Sequence, residues 1–327
     1  MMDYDELLHY LDELLVETYS LWDPGWVTFN WRGYTYDHVQ RVRGLALNLC
    51  RQEGGDLVVT ELAAILHDIT KLYDGEYVVD REGKRLVDSR GYWRNCVRRP
   101  ARSNAITALY ERLGLAGQLH NESGGTVAFH LLKEHGLDQP LCARVADTIR
   151  HHLRPPRRAE IESRCLYDAD TIDANIGLPA FVRNIYINLH FHDARKSPET
   201  PPIATLLRDA PEGFLRPYIL DSLPRWVGGK RRDFMRRLRT ESARILALAR
   251  LERLEGVFVC LARELEEYPS NSHDGCLSVA LHFMHHRDDP SIAEETAYLV
   301  GNRLALSMDT KARAMLTHLQ REMSGLE

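Results

Sequence analysis

Apolar residues in this chain recur at intervals of three and four, the spacing of one face of an α-helix. Leu7, Leu8, Leu11, Leu14 and Leu15 mark one such face, and Val39, Val42, Leu45, Ala46 and Leu49 mark another. A chain patterned this way has stripes rather than sheets to bury, which predicts an all-α bundle. Gly114, Gly136 and Gly177 each follow an apolar-periodic segment and read as helix stops. Segments 126–135 and 141–152 read as a helical pair joined by "GLDQP", and Thr60 as the cap of the short helix "ELAAILHDI". The stretch 73–92, "YDGEYVVDREGKRLVDSRGY", breaks the pattern. Its valine pairs and glycine-centred turns predict a small β-hairpin or an irregular excursion.

The same signals divide the chain. An N-terminal helix (1–24) precedes a core (25–192) interrupted by a basic insertion (73–102). "DARKSPETPP" opens a linker (193–203), and helices expected to dock on the core follow it (204–267). Within these, the stretch from Lys230 to Tyr268 reads as one long or slightly broken helix. A break at 268–275 introduces a further C-terminal helical segment (268–327).

Charge and cysteine usage narrow the function. A net charge of -5 gives no overall push toward nucleic acid or an anionic membrane. Locally, Arg81–Arg102 holds eight basic and two acidic residues, and Arg225–Arg253 ten and three. Such patches could attract a small anionic substrate or be solvated faces. The insertion reads equally as a lid or as a surface excursion, and the arginine-rich helix as a docking helix with a charged outer face. Six cysteines are scattered without a C-x-x-C pair, which argues against a zinc ribbon or redox dithiol and suits a reducing cytoplasm. The acidic start "MMDYDELLHY" is no signal peptide, and no apolar run approaches the roughly 20 residues that span a bilayer.

Histidine and aspartate recur at helix ends. His38 opens a helix in "YDHVQRV", and His67 and Asp68 end the next in "LHDITK". His120 precedes "ESGGTVA", His151 and His152 end "VADTIRHH", and Asp168, Asp170 and Asp173 lie in "LYDADTIDANIG". Imidazoles and carboxylates without thiolates suit one or two divalent ions of Mn, Fe, Co, Ni or Zn, with Mg also accommodated. An adjacent His-Asp pair can serve one ion, or the carboxylate can bridge two.

In this order the motifs resemble the HD-domain metal-dependent phosphohydrolase superfamily, and most closely its small bacterial hydrolases of unassigned substrate. The similarity extends to "RTESARILALARLERLEGVFVCLARELE", where Thr240 and Arg250 stand at recurring positions, and so covers about residues 25–267. The resemblance implies that His38, His67, Asp68 and Asp170 hold a first metal, Asp170 being preferred to Asp168 and Asp173. It implies a second metal on His120 and His151, with His152 the alternative and Asp68 bridging. Asp68 and Lys71 are the expected catalytic groups. Lys71, one turn past His67, is also an expected substrate contact, as is Arg41, which could instead form a structural ion pair. The implied activity is hydrolysis of a phosphomonoester or phosphodiester, nucleotides included, by a metal-activated water. Two other readings share the motifs: an HD-type di-iron oxygenase, which also uses four His and two Asp and an HD-x-x-K string, and a non-catalytic nucleotide sensor. His130, His135, His190 and His192 stay unassigned, as do His282, His285 and His286, whose spacing suits ligands but which have no partner motif.

Overall fold

The computed structural model describes residues 3–325 apart from 26, 28–29, 90, 196–198, 269–273, 286–287 and 303–307. It is 69% helical with a two-stranded antiparallel sheet, an all-α fold with a small hairpin. The chain forms two compact units, Met1–Asp170 with Asp288–Pro290, and Thr171–Arg287 with Ser291–Glu327.

The first unit contains α1 (Tyr4–Tyr19), α2 (Arg32–Glu53), α3 (Leu57–Leu66), β1 (Asp74–Tyr77), β2 (Asn95–Val97), α4 (Ala105–Arg112), α5 (His120–Glu134) and α6 (Gln139–His151). It also holds α7 (Ile161–Asn175) as far as Asp170. At its centre is α3, where Leu62 to Leu66 are all buried, packed among α1, α2, α5 and α6. A ten-residue helix this apolar owes its stability to packing rather than to intrinsic propensity. Its cap is Asp56, whose carboxylate accepts from the Val58 and Val59 N–H groups. The capping role expected of Thr60 is corrected, because Thr60 lies inside α3 and donates its hydroxyl to the Asp56 carbonyl at 2.8 Å. His38 likewise does not open its helix. Trp31 is the N-cap of α2, so His38 stands in the second turn.

Helices α5 and α6 lie close together because Gly125 has no side chain. A Cβ at that position would meet the Ala146 carbonyl oxygen at 2.8 Å. Backbone cannot rotate away as a side-chain tip can. Gly125→Ala is therefore expected to destabilise the protein by about 1–3 kcal/mol, measured by denaturant unfolding. An unchanged midpoint would mean that the two helices part freely.

The hairpin expected within 73–92 forms, with its second strand just beyond that range. Asp74 pairs with Val97 and Tyr77 with Asn95, and bridges at Val79–Arg85 and Val87–Trp93 extend the excursion. The Arg85 guanidinium lies over the Tyr77 and Trp93 rings, 3.9 and 4.6 Å from their centroids, tying its two arms together.

The second unit continues α7 and adds α8 (Leu178–Arg195), α9 (Ile203–Asp209), α10 (Glu212–Arg216), α11 (Leu223–Asp233), α12 (Glu241–Glu266), α13 (Cys276–Phe283), α14 (Ile292–Gly301) and α15 (Thr310–Met323). The stretch from Lys230, expected as one long or slightly broken helix, is broken. α11 ends at Asp233, a 3₁₀ turn follows at Met235–Arg237, and Thr240 caps α12 by accepting from Ala243 N–H. α8 runs into the expected linker as far as Arg195. Residues 196–198 of that linker and 269–273 of the later break lie outside the described residues. No helix among the described residues is long and apolar enough to cross a membrane.

Candidate metal centre

Adjacent residues on a continuing helix point about 100° apart, yet His67 and Asp68 face one centre. The helix stops just before them. α3 ends at Leu66, His67 is its C-cap, and tight turns follow, with Ile69 N–H on the Leu66 carbonyl and Lys71 N–H on that of Asp68. The turn is braced from outside by Tyr19, whose hydroxyl donates to the Asp68 carbonyl at 2.7 Å.

Asp68 divides its two oxygens between two sets of imidazoles. Oδ2 lies 3.8 Å from Nε2 of both His38 and His67, whereas Oδ1 lies 3.4 Å from His120 Nε2 and 3.8 Å from His152 Nε2. Asp170 joins the first set, its Oδ1 3.1 Å from His38 Nε2. Two metal-capable groups thus share one carboxylate: His38, His67 and Asp68, and Asp68, His120 and His152. Their side chains are buried, except that Asp170 is 20% exposed and forms the open edge.

The expected place of His151 is corrected. α6 ends at His151, so the next residue, at the C-cap, is the one carried round to the centre. His152 stands there, 3.2 Å from His120 Nε2, and its ring packs on that of His67. Arg41 is corrected as a substrate contact. It is completely buried, with its guanidinium over the Tyr34 ring, and offers no open face to a ligand. Lys71 does reach the centre, its Nζ 3.3 Å from both ring nitrogens of His120.

Hydrogen bonds on the far side of the rings define the tautomers. Nδ1 of His67 faces the Ala64 carbonyl and Nδ1 of His152 the Ile149 carbonyl, each at 2.6 Å, so both must donate there. His120 Nδ1 is 2.5 Å from Asp74 Oδ2. Each ring turns its other nitrogen, Nε2, toward Asp68, and in the neutral ring that nitrogen carries the lone pair. The His67 Nε2 is buried with no hydrogen-bond partner, and those of His120 and His152 face each other. In their neutral forms these rings converge lone pairs beside a carboxylate, an arrangement that a bound cation satisfies, so this donor set fits divalent metal ions.

The groups polarise one another. Burial alone would raise the Asp68 carboxyl, but His67, Lys71, His120 and His38 outweigh it and hold it well below the ordinary range. Asp170 is also held low, its burial outweighed by the His38 hydrogen bond and the neighbouring imidazoles. Burial, with His67 and His120 beside it, pulls His152 down to about 3, and burial lowers His67 too. The folded, metal-free protein therefore keeps His152 neutral where the unfolded chain takes a proton near pH 6.5. Below that pH the unfolded state binds more protons, and stability falls as pH falls, by up to about 1.4 kcal/mol per unit for each such group. Thermal unfolding of chelator-treated protein between pH 7 and 4 should show this loss, and a flat midpoint would refute it.

Asp74 is a neighbour of the centre that the motifs do not mark. Its only sequence signal is its place three residues after Lys71, and a strand delivers it. It also lines a cavity of about 230 Å³ walled by Tyr73, Trp93, Asn95 and Tyr110 under the hairpin. A third convergence of ligand-type groups, Cys260, Glu264 and Cys276, has a structural explanation. Gly275 has no side chain to cap α13, so Glu264 accepts from the Cys276 and Leu277 N–H groups and from the Cys260 thiol. His282 is paired with Glu295 at 2.6 Å, His285 is exposed, and His286 lies outside the described residues.

Residues 35–175 match the family model of the HD domain, which identifies that segment as an HD domain. Among solved structures the chain is similar to a predicted HD superfamily hydrolase from an uncultured Thermotogales bacterium, at 20% identity over 80% of this chain and 92% of that one, with a TM-score of 0.43. It is also similar to Bacillus subtilis YpgQ in complex with ADP, at 18% identity over 81% and 98%, with a TM-score of 0.36. No curated protein matches it.

Proposed function

We propose that the chain is a metal-dependent phosphohydrolase that cleaves a phosphomonoester or phosphodiester through a metal-activated water. The observation that carries this reading is the division of Asp68 between two pairs of imidazoles, 3.4–3.8 Å away on either side. His38, His67, Asp170 and Oδ2 of Asp68 would hold one ion, and His120, His152 and Oδ1 the other. Divalent Mn, Fe, Co, Ni or Zn bound there, or Mg, supplies Lewis acidity and a water acidic enough to attack at neutral pH. The protein's own part is to fix the ligands and to neutralise charge. Lys71 places an ammonium at the rim, where it can bind a phosphate oxygen and offset the charge that develops on it. The basic hairpin gives the same unit a cationic flank that favours small anionic ligands, nucleotides among them. Six free cysteines suit a reducing cytoplasm.

The same four imidazoles and two carboxylates suit a di-iron centre that activates dioxygen, so the test addresses both readings. Protein purified without chelator is analysed for metal, then assayed on phosphomonoesters, phosphodiesters and nucleotides with Mn, Co, Ni and Mg. Metal-dependent release of phosphate from a monoester, or of a monoester and an alcohol from a diester, supports hydrolysis. Two irons per chain with oxygen consumption, and no phosphoester turnover, would overturn it. Tight nucleotide binding without product would make the site a sensor.

A further inference from the structure

The two ends of the centre are anchored differently. His67 and His152 each direct Nδ1 to a carbonyl three residues earlier in their own helices. Those acceptors come with the helix. His120 is the first residue of α5, and the segment before it contributes no such turn. Its Nδ1 acceptor comes instead from another element, the Asp74 carboxylate at the first position of β1.

On the basis of the metal centre proposed above, we infer that Asp74 is the positioning residue of the His120–His152 half-site, and that the hairpin is thereby part of the centre. Asp74 acts in two ways. As acceptor it keeps the proton on Nδ1 and leaves Nε2 free to bind an ion. As an anion it offsets the Lys71 ammonium, which sits 3.3 Å from the same ring and would otherwise oppose a second cation. Its place is fixed by the root of the hairpin. Asp74 pairs with Val97, Arg98 N–H donates to the Tyr73 carbonyl at 2.9 Å, and Gly75 allows the Cys96 carbonyl to approach where a Cβ would lie 2.6 Å from it. Nothing in this arrangement supports the His38–His67 half-site. The two ions should therefore respond differently to its loss.

The experiment compares wild type, Asp74→Ala and Asp74→Asn by Mn and Zn titration with metal analysis, and by ¹⁵N imidazole spectra of the metal-free proteins. In Asp74→Ala the first ion is retained and the second binds about 10–100-fold more weakly, while the His120 signal loses its Nδ1–H tautomer. Asp74→Asn keeps an acceptor of the same shape and recovers part of the second affinity and the tautomer. Unfolding midpoints show whether each variant is folded. An alanine variant that binds both ions with wild-type affinity, or an unchanged His120 tautomer, overturns the inference. Wild type that binds no divalent ion overturns the metal reading, and the tautomer in the same sample still decides the role of Asp74.

Discussion

Asp68→Ala is expected to lower phosphoester turnover by about 10³-fold or more, equivalent to about 4 kcal/mol of transition-state stabilisation, and to remove both ions. Among the described residues, Asp68 is the side chain shared by the two metal-capable groups. Removing it leaves three imidazoles with anchored Nδ1 atoms and no anion between them. Two cations cannot then be held close together, because their repulsion is no longer shared by a bridging carboxylate. Asp68→Asn separates charge from shape. It keeps the volume but offers one oxygen and no negative charge, so it should lose most activity and at least one ion. Metal analysis and initial rates with saturating Mn test this in variants whose unfolding midpoints match that of wild type. Two ions and wild-type rates in the alanine variant would remove Asp68 from the mechanism.

The centre was legible in outline because His67, Asp68, His120 and His152 sit at helix ends, which sequence marks by where an apolar pattern stops, while His38 and Asp170, inside α2 and α7, were legible through the order of the motifs. The order of His38, His67–Asp68, His120 and Asp170 could therefore be read, and the structure brings these side chains together. The choice between His151 and His152 could not, since both follow the last apolar turn of α6. Which one faces inward depends on where that helix yields to its C-cap, a difference of one residue. Asp74 was invisible for another reason. Its partner is 46 residues away, and the strand that carries it has no pattern tied to the helices. For Arg41 the position one turn from a ligand suits either a substrate contact or a structural role, and the fold, which buries it against Tyr34, favours the structural one. Capping was read one turn late at α3, because Asp56 and Thr60 are both good cap residues and only the backbone path distinguishes them.

Glu322→Ala should destabilise the second unit by about 3–5 kcal/mol. Sequence pattern attached no role to the final helix, yet α15 drives this carboxylate into the interior of that unit. Glu322 is completely buried. Its Oε1 accepts from Arg253 at 2.7 Å and its Oε2 from the Leu178 N–H at 2.7 Å, while Arg250 Nη1 lies 3.8 Å from Oε2. It thus supplies the carboxylate that α8 lacks at its N-terminus, where a partial positive charge favours an anion. Gly177 makes room for it, since a Cβ there would collide with the Glu322 carboxylate. Burial pushes the Glu322 carboxyl up despite Arg250, Arg253 and the Leu178 N–H, which shows how costly desolvation is here. The net attraction of the pair is for that reason modest, and the cost of breaking it comes from elsewhere. Alanine leaves the buried Arg250 without this anion, orphans an N–H at a helix start and opens a cavity. Glu322→Gln distinguishes these terms, because it keeps the volume and one acceptor while discarding the charge, and should cost less than alanine. Hydrogen exchange of α8, α12 and α15 locates the loss, and denaturant unfolding measures it. Wild-type protection in those helices for the alanine variant would show that α15 is not held by this carboxylate.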